Sequence, residues 1–314
     1  MNTGPFLIMI AASLWALDGL LRTNLSGAIP SAWIVMIEHA VGFVILLPLF
    51  WRAREKFKTL TGRDWLVLIA LTIVSSVAGT ILFTEALARS FATYDYATPL
   101  LLLKLQPIFV ILLAVIFLKE KLTAKFVALV PVALFGSYLI SFGWHAIPLT
   151  FTNKEIVVLL SLGATFAWGA GTILSKTILK KLSFSEATSM RFLLAIPVAY
   201  IAAQILGQSY SFAHLTGGQF WRFVIIGFTT GAAGVLIYYR GLQKTEAKVS
   251  TIAELIFPII SILIAITPLN PYGEAQVLSM ANVAGIVILL ASVLIISIDY
   301  AKKRALPETT EIDA

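Results

Sequence analysis

The chain contains ten apolar runs, and each is long enough to cross a lipid bilayer as an α-helix. A spanning helix needs about 20 apolar residues, whereas strands of a membrane barrel are about half that length and alternate with polar residues. The predicted spans are Pro5–Leu21, Ala32–Phe50, Trp65–Ala88, Ala97–Leu118, Phe126–Phe142, Ile156–Leu174, Ala187–Leu206, Phe220–Leu242, Val249–Ile266 and Val277–Ile298. The sequence therefore predicts an all-α integral membrane protein with ten transmembrane helices.

The composition agrees with a lipid environment, because 59% of the residues are hydrophobic and 12% are charged. Soluble domains carry about 25% charged residues. The chain has no cysteine, and its three histidines are far apart, so no disulfide, metal site or cofactor is expected. The net charge of +7 lies in short loops between apolar runs, which indicates membrane lipid as a partner and argues against nucleic acid.

The basic residues predict the orientation, because loops rich in Lys and Arg face the cytoplasm. With a cytoplasmic N-terminus, the inner loops and the tail hold seventeen of the 23 basic residues. The outer loops hold only Arg22, Arg89, Lys154 and Arg222, and the other two, Lys104 and Arg191, lie inside apolar runs. We therefore predict a multi-pass protein of the cell (inner) membrane with both termini in the cytoplasm.

The chain also repeats itself at an offset of about half its length. "ASLWALDG" (12–19) is echoed by "TFAWGAGT" (165–172), "AGTILFTEAL" (78–87) by "AGVLIYYRGL" (233–242), and "LQPIFVILLAVI" (105–116) by "IFPIISILIAIT" (256–267). Trp15 thus corresponds to Trp168, Glu85 to Arg240 and Pro107 to Pro258. Five helices per repeat is an odd number, so the second repeat enters the membrane inverted, which is typical of alternating-access transporters with a substrate site between the halves.

These features resemble the EamA type of drug/metabolite transporter. The residues that carry the resemblance are the two five-helix repeats, Trp168-Gly169, Arg191, and "QPIFVILLAVIFLKEKLT" from Gln106 to Thr123, which contains Glu120. The resemblance implies small-solute transport, often export, through a cavity lined by helices one, three and four of each repeat. It implies repeats at residues 5–143 and 155–298, and residues 299–314 are expected to be a disordered cytoplasmic tail. The chain departs from the pattern at Glu38, which corresponds to Arg191.

Several charged residues are predicted inside the membrane, where an unpaired charge is costly. At about 1.5 Å per residue, Lys104 and Glu38 each lie about 10 Å below the outer membrane edge. The outer leaflet is thus expected to hold Asp18, Glu38, His39, Glu85 and Lys104, and the inner leaflet Arg191, Arg240 and Glu254. We predict that Lys104 pairs with Glu38 or Glu85, or failing these with Asp18. The group then either contacts a polar substrate in a water-filled cavity or serves only to hold helices together.

The remaining candidate residues are prolines and aromatic residues. Pro107 and Pro258 cannot donate to the carbonyls of Leu103 and Glu254, so both are candidate hinges or packing kinks. Five aromatic residues on equivalent helices are candidates for the wall of a stacking pocket, or alternatively face lipid: Trp15, Trp168, Phe83, Tyr238 and Tyr239. Glu120 is expected to cap a helix or pair locally with Lys119, Lys121 or Lys125 at the membrane edge.

The sequence predicts a secondary transporter of small polar or amphipathic metabolites, such as amino-acid-like solutes or drugs, with export as the expected direction. The candidate substrate-binding residues are Trp15, Asp18, Glu38, Glu85, Lys104, Trp168, Tyr238, Tyr239, Arg240 and Glu254. A channel or a non-transporting receptor is the alternative. No hydrolase, zinc-protease or nucleotide-binding motif is found, so an enzyme is not expected. The oligomeric state is expected to be a monomer or a homodimer.

The sequence contains no nucleotide-binding motif, so any uphill transport would have to be driven by an ion gradient or by exchange. Glu254, near Pro258, is the first candidate for a carboxylate that takes up and releases a proton, with Glu85 as its outer counterpart. Arg240 would oppose this role if it lay beside Glu254. Uncoupled exit or exchange is the alternative.

Overall fold

Helices form the secondary structure of the part of the chain that the computed structural model describes, residues 3–93, 97–145, 155–270 and 273–303. Six uninterrupted membrane helices are α1 (Gly4–Ser26), α2 (Ser31–Phe57), α5 (Ala124–Phe142), α6 (Glu155–Ile178), α7 (Phe184–Ile205) and α10 (Met280–Lys303). Four interrupted ones are α3 (Gly62–Leu71, Thr72–Gly79 and Thr80–Thr93), α4 (Ala97–Leu103, Gln106–Leu113 and Ala114–Leu118), α8 (Gly217–Ile226, Gly227–Gly231 and Ala232–Gln243) and α9 (Ala247–Ala253 and Ile256–Ala265).

The all-α prediction is confirmed. Within the described residues, nine helices are long and apolar enough to cross a membrane, and the second part of α4, Gln106–Leu118, is a shorter apolar helix. The boundaries differ from the prediction at several ends. Helix α1 continues past Leu21, so that Arg22 lies in the helix rather than in a loop, and Arg89 lies in α3. Helix α10 extends to Lys303, so the first part of the predicted tail is helical, whereas 304–314 lie outside the described residues.

Helices α4 and α9 are broken at equivalent places. The first break is at Lys104 and Leu105, and the second is at Glu254 and Leu255. Prolines follow both breaks because proline lacks the N–H that would continue the helical hydrogen bonds. The carbonyl of Glu254 is not left free as the sequence predicted, because the N–H of Phe257 donates to it at 3.0 Å. Each break thus contains one residue with a charged side chain, Lys104 in α4 and Glu254 in α9.

Helices α3 and α8 contain π-helical segments at equivalent positions, Thr72–Gly79 and Gly227–Gly231. Such wider turns are rare and occur frequently at functional sites. Both repeats therefore deviate from a regular α-helix in their third and fourth helices.

The packing follows a pseudo-two-fold arrangement of the repeats. Helix α2 packs along its equivalent α7, and α5 packs along its equivalent α10. In addition, α1 of the first repeat packs on α8 of the second, and α3 of the first packs on α6 of the second. Glycines allow the α5–α10 approach, since a Cβ on Gly285 would lie 2.7 Å from the carbonyl oxygen of Gly136. The second part of α4 packs on α6 and the second part of α9 on α1, so each broken helix contacts the other repeat.

Candidate functional site

The two equivalent tryptophans each pack on a glycine of the opposite repeat. A Cβ on Gly234 of α8 would lie 2.9 Å from Nε1 of Trp15, and a Cβ on Gly79 of α3 would lie 2.9 Å from Nε1 of Trp168. Contacts this short are essentially never made by a real Cβ, so both positions require glycine as long as the indoles stay in place. The tryptophans of α1 and α6 thus lie at the interface between the repeats.

A chain of side-chain contacts links Trp15 to both helix breaks. The rings of Trp15 and Tyr238 lie 5.1 Å apart. The hydroxyl of Tyr238 donates to Oε1 of Glu254 at 2.9 Å, and Nε2 of Gln106 donates to Oε2 of the same carboxylate at 3.1 Å. Helices α1, α8, α9 and α4 therefore meet at one polar group beside a tilted aromatic pair. Gln106 was not among the predicted site residues, although it lies one residue before Pro107.

Trp168 has its own aromatic neighbours on the side of the first repeat. Its ring lies 5.2 Å from Phe83 of α3. Beside it, a Cβ on Gly169 would lie 3.2 Å from the side chain of Phe109, which follows the break in α4. Trp15, Phe83 and Trp168 are only partly buried. Four of the candidate aromatic residues thus form two pairs across the repeats, Trp15 with Tyr238 and Phe83 with Trp168. That they line a stacking pocket stays a prediction.

The predicted ion pair of Lys104 is wrong for the described residues, none of whose carboxylates lies within ion-pair distance of it. Lys104 is partly buried at the break of α4. The three carboxylates proposed as its partners bind arginines of their own helix or of the neighbouring helix instead. Equal depth in the membrane does not make two side chains face each other, because depth says nothing about the direction around the helix axis.

Arg22 is the cation that two of these carboxylates, Asp18 and Glu38, contact, and the sequence prediction missed it because it ended α1 at Leu21. Its Nε donates to Oδ2 of Asp18, one helical turn earlier, and its Nη2 donates to Oε2 of Glu38 at 2.9 Å. The hydroxyl of Thr230 donates to the other oxygen of Asp18 at 2.6 Å. Asp18, Arg22 and Glu38 thus form a buried charge cluster between α1, α2 and α8.

The second repeat has a cation where the first has Glu38. Arg191 of α7 donates to three hydroxyls, from Nε to Ser76, from Nη2 to Ser75 at 3.1 Å and from Nη1 to Tyr239 at 2.7 Å. The hydroxyl of Tyr239 also lies 2.8 Å from that of Ser175. The hydroxyl of Tyr239 therefore belongs to this polar group, while its ring lies 6.0 Å from that of Tyr238.

Two predicted site residues lie away from these groups. Glu85 is partly exposed and pairs at 3.2 Å with Arg89 of its own helix. Arg240 is exposed, and its guanidinium lies 5.7 Å from the ring of Phe184. The described polar partners of the Glu254 carboxylate are Tyr238 and Gln106, so the condition under which Arg240 would oppose proton exchange at Glu254 is not met.

Glu120 caps a helix, as predicted, but the helix belongs to the other repeat and the expected local lysine pairing is wrong. Its Oε1 accepts from the N–H of Ala247 at 2.7 Å and its Oε2 from the N–H of Lys248 at 3.0 Å. These N–H groups are at the start of α9, where a helix has no internal acceptors for them. The end of α4 is therefore tied to the beginning of α9.

Comparison with known proteins agrees with this architecture. The EamA-like transporter family matches residues 2–142 and 155–298. The chain is 32% identical to the riboflavin transporter ImpX of Fusobacterium nucleatum subsp. nucleatum, over 94% of this chain and 97% of that protein. It is 26% identical to an uncharacterised transporter of Synechocystis sp., over 76% and 68% of the two chains. An uncharacterised transporter of Clostridium kluyveri is 22% identical, over 88% and 89%.

A solved crystal structure shares the fold at a TM-score of 0.73 and 15% identity, covering 96% of this chain and 99% of the other. The family match covers both repeats, which confirms the resemblance found in the sequence and the ten-helix, two-repeat architecture. The chain belongs to the EamA-like transporter family and is a multi-pass membrane protein that transports a small molecule.

Proposed function

We propose that this protein is a secondary transporter of riboflavin or a closely related planar heteroaromatic solute, which binds between the two repeats. The substrate class is suggested by the relative named as a riboflavin transporter, which matches nearly the whole chain. The observation that supports the proposal is the tilted aromatic pair of Trp15 and Tyr238, which lies beside the amide of Gln106 and the carboxylate of Glu254.

The chemistry of a flavin matches such a site. Its fused rings are flat and apolar on both faces, and they stack on aromatic side chains. Its pyrimidine-like edge carries two carbonyl acceptors and one N–H donor. The amide of Gln106 and the ammonium of Lys104 supply donors for the carbonyls, and the carboxylate of Glu254 supplies an acceptor for the N–H. Gln106 follows the break in α4 and Glu254 lies at the break in α9, and the two side chains are hydrogen-bonded to each other across the repeats.

The transport mechanism follows from the repeat symmetry. Rocking of one repeat against the other opens the site alternately to the two sides of the membrane. We place the protein in the cell (inner) membrane with both termini in the cytoplasm, as a monomer or a homodimer. The export direction rests on the family resemblance alone, so the transport assay is run in both directions.

The test is counterflow in proteoliposomes loaded with unlabelled riboflavin and supplied with labelled riboflavin outside. We expect labelled riboflavin to accumulate transiently, and Trp15→Ala to abolish this. The matched control is Trp51→Ala, because Trp51 lies on α2 and is 62% exposed. Counterflow of amino acids without that of riboflavin would contradict the proposed substrate, and a conductance without counterflow would indicate a channel.

A binding measurement tests the substrate site without requiring the protein to transport. Flavin fluorescence is quenched on stacking, so titration of the purified protein measures the Kd. Loss of one stacking partner costs about 1–3 kcal/mol, which corresponds to a roughly 5- to 150-fold increase in Kd for Trp15→Ala. An unchanged Kd in Trp15→Ala would place the substrate elsewhere, and binding without counterflow would indicate a receptor.

A further inference from the structure

The cluster of Asp18, Arg22 and Glu38 holds two carboxylates and one cation in the membrane interior. The side chains are 18%, 11% and 8% exposed, respectively. With both carboxylates ionised the cluster carries a charge of −1, which is costly in a low-dielectric interior. One bound proton makes the cluster neutral.

The hydrogen bonds distinguish the two carboxylates as possible sites for that proton. Both oxygens of Asp18 accept hydrogen bonds, one from Arg22 and one from Thr230. Glu38 accepts one hydrogen bond at Oε2, whereas its buried Oε1 has no partner. A buried acceptor without a partner is a costly exception in native proteins. We propose that the Asp18–Arg22–Glu38 cluster is the proton-coupling site of this transporter, and that the proton is carried at Oε1 of Glu38.

The neighbouring helices supply no second partner for this oxygen within the described residues. The charged or titratable groups on the helices around the cluster include Asp18, Arg22, His39, Glu85, Arg89, Arg191 and Arg222. Of these, only Arg22 is hydrogen-bonded to Glu38. The Nδ1 of His39 lies 2.8 Å from the carbonyl oxygen of Val35, and Glu85 is paired with Arg89. Proton binding at Glu38 therefore alters chiefly its bond to Arg22.

The cluster is connected to the proposed substrate site through one residue. Thr230 lies in the π-helical segment of α8, and its hydroxyl donates to Asp18 while its carbonyl accepts from Nε1 of Trp15 at 3.0 Å. The ring of Trp15 contacts that of Tyr238, whose hydroxyl donates to Glu254. A change in the Asp18–Arg22–Glu38 hydrogen bonds is thus transmitted through Thr230 to the indole proposed to hold the substrate. Glu254 itself is less suited to the exchange of a proton, since both of its oxygens accept hydrogen bonds.

The first experiment needs no substrate and therefore does not depend on the proposed function. Infrared difference spectra of the reconstituted protein, recorded over a pH titration, report the C=O stretch of a protonated carboxyl group. We expect the wild type to show a titrating band of a buried carboxyl group, distinct from the bands of the exposed acidic side chains, and this band to be absent in Glu38→Gln. The band should persist in Glu85→Gln and Glu254→Gln. Its loss in Glu254→Gln with persistence in Glu38→Gln, or the lack of any titrating band, would overturn the proposal.

Size-exclusion chromatography shows whether Glu38→Gln folds. If it does not, Glu38→Asp is used instead, because it keeps a carboxyl group at this position. The titrating band should then shift in frequency, whereas an unshifted band would assign the proton to another residue and overturn the proposal.

The second experiment measures coupling and rests on the proposed function. A pH gradient is imposed across proteoliposomes while valinomycin and equal potassium concentrations hold the membrane potential at zero. We expect the wild type to concentrate riboflavin, up to about tenfold per pH unit for one proton per solute. Glu38→Gln should reach only equal concentrations and keep counterflow at equal pH. Accumulation by Glu38→Gln at the wild-type level, or wild-type counterflow without accumulation, would contradict proton coupling at this cluster, whereas a wild type without counterflow would refute the riboflavin proposal alone.

Discussion

At the scale of single residues, the two membrane cations Arg22 and Lys104 differ in the partners that the fold provides. Arg22 bonds two carboxylates, so that its removal would leave both without their counter-ion. Lys104 has no carboxylate within ion-pair distance in the described part of the chain. A charge without a partner in the membrane interior is costly, and the position of Lys104 at a helix break suits contact with a substrate.

Two single variants, each with one of these cations replaced by methionine, test this difference. Removing one partner of a buried ion pair costs about 3–5 kcal/mol, so Arg22→Met should lower the free energy of unfolding by about this amount. Lys104→Met should change it by less than about 1 kcal/mol or raise it, because a costly buried charge is replaced by an apolar side chain. Reversible unfolding in mixed micelles measures both values. Equal losses in the two variants would show that Lys104 has a charged partner.

The double variant Arg22→Met/Glu38→Gln provides the internal control. Removing the stranded carboxylate together with Arg22 should restore part of the lost stability, because the two residues are in contact and their effects are not additive. Strict additivity would contradict the observed hydrogen bond. Lys58→Met, at an exposed position, controls for general effects of the substitution.

At the scale of helices, the interrupted elements decide the arrangement of the site. Apolar run lengths were sufficient to predict the spans, and the prolines indicated where α4 and α9 deviate. The sequence did not predict the orientation of side chains around the helix axes, so Lys104 was assigned the carboxylates that Arg22 binds. It also did not predict that Glu120 reaches the other repeat, because contacts over 127 residues depend on how the helices are packed.

The two glycines that contact the tryptophan rings, Gly79 and Gly234, allow a prediction about helix packing. Glycine to alanine in a helix normally stabilises by about 0.5–1 kcal/mol. At Gly79 and Gly234 the new methyl group would displace Trp168 or Trp15, so we expect riboflavin binding to weaken in both variants. The matched control is Gly217→Ala at the start of α8, where a Cβ meets nothing within 4 Å. Unchanged riboflavin binding in Gly79→Ala and Gly234→Ala would show that binding does not depend on the present positions of the two indole rings.

The cap of α9 by Glu120 can be measured by its removal. Loss of a helix-capping side chain costs about 0.5–2 kcal/mol, so Glu120→Ala should lower the free energy of unfolding by this amount. Hydrogen exchange at the amides of Ala247 and Lys248 should also become faster, which locates the effect at the start of α9. Glu274→Ala is the control, because Glu274 is exposed. Unchanged exchange at both amides would show that the cap does not form.

At the scale of the whole molecule, the packing of the repeats implies that they face opposite sides of the membrane. Helices α2 and α7 are equivalent and pack on each other, as do α5 and α10, which is what a pseudo-two-fold axis produces. With an odd number of helices per repeat, the axis lies in the membrane plane. Corresponding loops of the two repeats must then lie on opposite sides.

Labelling of single cysteines tests this arrangement and the predicted orientation together, because the chain has no cysteine of its own. We expect cysteines at Ser211, between α7 and α8, and at Asn270, after α9, to react with an impermeant maleimide added to intact cells. A cysteine at Thr59, between α2 and α3, should react only after the cells are opened, since the loop is flanked by Arg54, Lys56, Lys58 and Arg63 and should be cytoplasmic. The reverse pattern would place both termini outside and move Glu38 to the cytoplasmic half. Labelling of Thr59 together with Ser211 from outside would contradict the inverted topology, because these loops are separated by an odd number of spans.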